Sequence, residues 1–287
     1  MTTDTTPAPG PDAAPGAAPD KASLPHADAS ADPEGRLTLE VPLPGEPAEP
    51  ALLLVLRPKK GEPETVTHRL PLAPAPGRPG RWRTELAPDT PALEEGRWDV
   101  FALPAGEERL RLLPGLRDLR ALSPGYAATA AAPLAVRLPY ATKDRYLAVR
   151  AWRRRVHAEA GDLTLEGGTM TVEARLIGAE PGEGAEALLK LRGGGKDGPV
   201  LRAPLAVEPG GSGTFAFSFG LSALPPEPGF WDVHVRPAAG GPRVRVGRLL
   251  DDVADKKPLF VYPAVPAGEA TARPYYTVDN DLSVEVR

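Results

Sequence analysis

Apolar and polar residues alternate along much of this chain with a period of two. In "RWRTEL" (81–86), Trp82, Thr84 and Leu86 fall on one side and Arg81, Arg83 and Glu85 on the other. "TFAFSF" (214–219) repeats the pattern with Phe215, Phe217 and Phe219, "MTVEARL" (170–176) with Met170, Val172, Ala174 and Leu176, and the C-terminal phrase with Leu282, Val284 and Val286. A period of two places successive side chains on opposite faces, so each segment predicts a β-strand with one packed and one solvated face. "RLRLL" (109–113) and "RVRV" (243–246) predict short strands with arginine outward. Helical spacing is compatible with only two stretches, 150–160 and 246–257, each a short appendage if helical.

The strands recur. "PYATKDRYLAV" (139–149) returns as "PYYTVDNDLSV" (274–284), an offset of 135 that also separates Leu147 from Leu282. "GRLTLEV" (35–41) faces "GTMTVEARL" (168–176), "ALLLVLR" (51–57) faces "EALLKLR" (186–192), and "EGRWDVFA" (95–102) faces "PGFWDVHV" (228–235), the last pair offset by 133. Fixed strands joined by loops of different length give such a drift. A period this long predicts duplicated domains and not a solenoid, whose repeats span roughly 20–50 residues. Gly/Pro turns between seven or eight strands per copy predict two tandem immunoglobulin-like antiparallel β-sandwiches, an all-β class, over 35–152 and 153–287.

Composition changes this picture at one end. With 37 Pro and 30 Gly among 287 residues, turns are frequent, yet 41% hydrophobic residues suffices for cores. Residues 1–34 lack Val, Ile, Phe, Tyr and Trp, which predicts a disordered Pro/Ala-rich acidic tail. That segment carries six carboxylates and Lys21, a net of −5 against −4 for the whole chain, leaving 35–287 near +1. A nearly neutral body lacks the basic face that nucleic-acid binding requires. The absence of a basic n-region, an apolar h-region and any transmembrane-like run predicts a cytoplasmic protein without membrane insertion. Cysteine is absent, which removes disulfides, thiolate metal sites and cysteine nucleophiles and leaves the redox compartment open.

Candidate chemistry is sparse. Trp98 and Trp231 share a strand face with Val100 and Val233, so core positions are favoured over ligand platforms, with Asp99 and Asp232 pointing away. Tyr140 and Tyr275, each after a proline and two residues before Thr142 and Thr277, are candidate glycan-binding positions. The structural alternative is a tyrosine corner bonded to loop backbone. Arg150, Arg153, Arg154 and Arg155 lie where one copy hands over to the next, either to grip a phosphate-bearing polymer or to clamp the copies through acids such as Glu159 and Asp162. Asp279 and Asp281 form an Asp-x-Asp pair, too few oxygens by themselves for a hard cation and better suited to a turn. "RGGGKDG" (192–198) lacks the Ser/Thr of a phosphate loop, and His26, His68, His157 and His234 are scattered. No catalytic residue, cofactor or metal site emerges.

The closing phrases "PYATKDRYLAV" and "PYYTVDNDLSV" resemble the ends of the accessory β-sandwich repeats that follow the catalytic domain in bacterial, including actinobacterial, cell-wall and teichoic-acid glycosyltransferases. The resemblance covers most of 35–287 and implies a non-catalytic module that contacts a glycosyltransferase or an anionic glycan polymer, or that mediates oligomerisation. The upstream nucleotide-sugar domain of that family has no counterpart in 1–34. The alternative is a glycosyl or glycerophosphoryl transferase with an unrecognised active site.

Overall fold

The computed structural model describes residues 20–45, 47–106, 108–123, 125–207 and 213–287. It is an all-β molecule. The first half contains β1 (His26–Ala31), β2 (Leu37–Pro42), β3 (Ala51–Leu56), β4 (Thr67–Pro71), β5 (Ala73–Pro74) and β6 (Arg81–Leu86). It continues with β7 (Gly96–Leu103), β8 (Leu110–Arg111), β9 (Leu113–Asp118), β10 (Leu134–Ala141) and β11 (Leu147–Arg154). The second contains β12 (His157–Glu166), β13 (Thr169–Ile177), β14 (Glu186–Leu191), β15 (Val200–Pro204), β16 (Ala206–Val207) and β17 (Thr214–Gly220). It closes with β18 (Gly229–Arg236), β19 (Val244–Gly247), β20 (Val265–Ala267), β21 (Ala270–Tyr276) and β22 (Leu282–Val286).

Both halves pair their strands in the same order. In the first, one sheet runs β5-β6-β2-β1-β9 and the other β10-β11-β7-β3-β4, with β8 on β7. In the second, β16-β17-β13-β12 leads through β19 to β18-β22-β21-β20, and β14 and β15 lie on the other side of β18. The pairing is antiparallel except at one place in each half, β1 with β9 and β12 with β19. The register repeats too. Trp98 lies between Leu56 and Val149, and Trp231 between Leu191 and Val284. Both indoles are buried, as expected. One core joins Leu39 and Val41 of one sheet to Leu54, Trp98 and Val149 of the other. A second joins Val172 and Phe217 to Leu189, Trp231 and Val284. Each half is therefore sandwich-like.

Three expectations need correction. Residues 20–34 are not a tail: β1 lies inside its sheet between β2 and β9, with Ala27 and Ala29 buried. Alanine brings little apolar area, but a strand flanked on both sides satisfies its backbone ladder, a contribution that a count of large side chains misses. Asp28 adds an acceptor for the Leu116 amide at 2.9 Å. Positions 1–19 of that expectation lie outside the described residues. The stretch 150–160 is β11, a tight turn and β12, not a helix. The stretch 246–257 ends β19 and enters an irregular strap, because the Leu249 and Leu250 amides donate to the Glu159 carboxylate at 2.9–3.0 Å instead of forming helical bonds. Of the described residues only 125–129 form an α-helix, and no helix is long and apolar enough to cross a membrane.

The strap ties the halves together. It extends from Gly247 at the end of β19 to β20, yet Leu249 and Leu250 are buried in the first half's core, the cluster that holds Leu134 and Trp152. Gly247 permits the entry, since a Cβ there would lie 2.9 Å from the Asn280 carbonyl oxygen.

Candidate functional site

The recurrent Pro-Tyr-x-Thr phrase builds two equivalent hairpins, β10–β11 and β21–β22. Thr142 and Thr277 each accept turn amides through Oγ1, from Tyr146 at 3.0 Å in the first and from Asp279 and Asp281 at 3.2 Å in the second. Arg145 and Asn280, at the same place in each turn, both have φ of 61°. The threonine is thus a turn-closing residue, and the phrase is a hairpin signature.

The tyrosines do not act as corners. The Tyr140 hydroxyl is buried without a hydrogen-bond partner among the described residues. The ring of Tyr275 meets that of Phe230 edge-on at 6.1 Å, with Lys257 Nζ 5.8 Å from its centre. The corner-type bond belongs to Tyr126, whose hydroxyl donates to the Ala135 carbonyl at 2.7 Å.

The arginine cluster divides into two pairs with different surroundings. Arg150 and Arg154 are shielded and reach across to the second half. Arg150 pairs with Asp279, and Arg154 with Asp281 at 2.9 Å and Glu95 at 3.1 Å. Burial alone would lower the Arg154 pKa, but Asp281 and Glu95 outweigh it and hold the guanidinium above its ordinary value. Trp152 Nε1 adds a bond to the Asp279 carbonyl at 3.1 Å. Arg153 and Arg155 are exposed. A clamp between the halves is present, but through Asp279 and Asp281, not through Glu159 or Asp162. Glu159 is occupied by the strap amides and by His157 Nε2 at 2.8 Å, and Asp162 is exposed.

The same clamp accounts for Asp279 and Asp281. Their carboxylates are engaged by Arg150, Arg154 and Arg245, the last at 2.8 Å. Among the described residues no three His, Asp or Glu side chains gather in a way that could hold a metal ion.

Beyond the clamp the duplication builds a repeated ion pair on the outer sheet face. Arg57 Nη2 lies 2.6 Å from Asp99 Oδ1, and Arg192 pairs with Asp232 in the equivalent place. The hydrogen bond that each arginine donates to its acid raises its pKa. Burial pushes the Asp232 carboxyl up, but hydrogen bonds from Arg192 and Ser283 prevail and leave it below its ordinary value.

Beside each pair opens a groove. The one at Tyr275 encloses about 480 Å³ between Phe230, Phe260, Tyr262 and Tyr275, with Arg192 and Lys257 on its wall. Arg273 and Arg287 also line it, sharing Glu285 at 3.2 and 2.9 Å. The groove at Tyr140 encloses about 660 Å³ and is lined by Arg57, Arg97, Arg117, Lys143 and Arg150. Val278 lines both. The strap separates them, with exposed Leu259 facing the Tyr140 groove and exposed Val261 the Tyr275 groove. Buried Lys256 anchors it, its Nζ 2.7 Å from both Asp251 Oδ1 and the Val253 carbonyl, while Asn280 Oδ1 accepts its amide.

Sequence reasoning found Tyr140, Tyr275 and the arginines but missed Phe230, Lys257 and the strap aromatics. The available signal was "KKPLFVYP" (256–263), which gathers two lysines and two aromatics where the alternation lapses. A second signal was Phe230 standing where the first copy has Arg97. Compared with known proteins, the chain matches no protein-family model and shows no significant match to a curated protein.

Proposed function

We propose that this chain is a non-catalytic binding module of two tandem immunoglobulin-like sandwiches, accessory to envelope-glycan or teichoic-acid synthesis. It takes an anionic glycan chain at the Tyr275 groove. The observation that carries this reading is the lining of that groove, where aromatic faces stand beside arginine and lysine on a chain of net negative charge. Sugar rings present C–H faces that pack on aromatics, and guanidinium groups bind phosphate or carboxylate by paired hydrogen bonds. Glycosyl transfer needs a base and a means of neutralising the leaving diphosphate, whereas the acid pair nearest to that role is committed to the clamp. A cytoplasmic transferase as partner, and self-association, fit the same reading.

The test is calorimetric titration of the protein with anionic and neutral glycans, alongside a donor-consumption assay over several nucleotide sugars. Binding of an anionic glycan that Phe230→Ala or Tyr275→Ala weakens by about tenfold, roughly one lost stacking contact, supports the reading. Turnover that persists through purification, or no binding to any glycan, sinks it.

A further inference from the structure

The Tyr140 groove differs from its duplicate in a way that assigns it a separate task. Where the Tyr275 groove presents Phe230, Phe260 and Tyr262, this one offers Tyr140 as its only aromatic and Arg97, Arg117 and Lys143 as cations. The side chains of those three cations have no ion pair among the described residues, although Asp252 and Asp255 line the same cavity. By contrast, Arg57 and Arg150 in the same wall are ion-paired with Asp99 and Asp279. Tyr140 itself lines this groove, although its hydroxyl is buried without a hydrogen-bond partner among the described residues.

Resting on the reading above, we infer that the Tyr140 groove is the anion subsite of a two-part site and the Tyr275 groove its ring-stacking subsite. One linear polyanion would occupy both by passing over the 277–281 hairpin, where Val278 belongs to the two linings. The chemistry shared by candidate ligands is an anionic group repeated along a polyhydroxylated chain, as phosphodiester or as carboxylate. Two weak subsites on one chain act at high effective concentration, so affinity should depend on chain length much more steeply than a single groove allows. Cations without an intramolecular partner can bind the anion without first breaking a pair, which concentrates the salt dependence on Arg97, Arg117 and Lys143.

The experiment uses the full chain with long poly(glycerol phosphate), its dimer, polygalacturonate and a neutral gluco-oligosaccharide. Arg97→Ala/Lys143→Ala is compared with Phe230→Ala and with Arg120→Ala, an exposed arginine outside both grooves. The expected result is tight binding of a long polyanion and at least about tenfold weaker binding of the dimer, as two-site occupancy requires. The Arg97/Lys143 variant should bring the long chain down to the dimer's affinity and lower the salt slope by about one unit per cation removed. Arg120→Ala should leave both unchanged. Preference for poly(glycerol phosphate) over polygalacturonate would assign the phosphodiester, and equal binding would assign charge of either kind; both support the subsite. Wild-type affinity and slope in the Arg97/Lys143 variant, with binding lost only in Phe230→Ala, would overturn the two-part site and leave the single-groove reading standing. Failure of the wild type to bind any of the four would remove both.

Discussion

Arg154 and Asp281 meet at 2.9 Å across the junction of the two halves, with 11% and 6% of their side chains exposed. The pair is too shielded to resemble a surface salt bridge, and Asp281 also accepts from Arg245 at 2.8 Å. Removing one partner strands a charge in a region of low dielectric. Arg154→Ala should therefore destabilise the protein by about 3–5 kcal/mol, against less than about 1 kcal/mol for an exposed pair. A double-mutant cycle with Asp281→Ala, read by chemical denaturation, should give a coupling above about 0.5 kcal/mol, and additive losses would show the two to be independent.

The two equivalent tryptophans are not equally bonded. Trp98 Nε1 donates to the Glu94 carbonyl at 3.1 Å, whereas Trp231 Nε1 has no partner among the described residues. Either change to Ala should cost about 3–5 kcal/mol for the lost aromatic volume. Replacement by Phe separates them. Trp98→Phe should cost about 0.5–1.5 kcal/mol more than Trp231→Phe, the worth of one hydrogen bond, and equal losses would refute this difference.

Stability should fall with mild acid. Burial holds the His234 pKa below its ordinary value, and Arg245 and Arg243 push the same way against its bond to the Asp232 carbonyl. Between its folded pKa and about 6.5 the unfolded chain binds more protons, so stability rises with pH through that window and this group adds no further change on either side of it. Asp232 acts lower. Its folded pKa is depressed, so its contribution is present above about 4 and is lost as pH falls through the folded value. His234→Gln should flatten the melting temperature just below about pH 6.5 while leaving the steeper loss below about pH 4. A wild-type melting temperature unchanged across the upper window would defeat the assignment.

Leu249 belongs by sequence to the second half and by packing to the first. Leu249→Ala should cost about 2–5 kcal/mol, within the range for a buried leucine. The informative readout is where the damage falls. Amide exchange should accelerate in β10 and β11 at least as much as in β18 and β22, and protection lost from the second half alone would contradict the packing.

The fold was legible because two strong signals agreed, alternation within strands and a 135-residue repeat that kept Trp98 and Trp231 in register. β1 escaped because Ala27 and Ala29 carry little apolar area, so a strand held mainly by its neighbours' ladders resembles a disordered segment in composition. The strap escaped for a different reason. Its order depends on the distant acceptors Glu159 and Asn280, and no local pattern encodes bonds to residues that far away. At the candidate site, Tyr140, Tyr275 and Arg150 stood out by type and recurrence, but whether a cation is paired is a property of tertiary structure. Arg154 and Arg97 look alike in sequence and differ in whether an acid meets them.

The destination of Leu249 and Leu250 also bears on synthesis. A ribosome releases the chain from the N-terminal side, and β1 to β11 are complete by Arg154. Their core nevertheless lacks two of its leucines until nearly a hundred further residues have emerged. During that interval the nascent first half exposes an apolar gap in its core. The two halves consequently mature together, and translation speed between Arg154 and Leu250 sets how long that gap is open to wrong partners or to a chaperone.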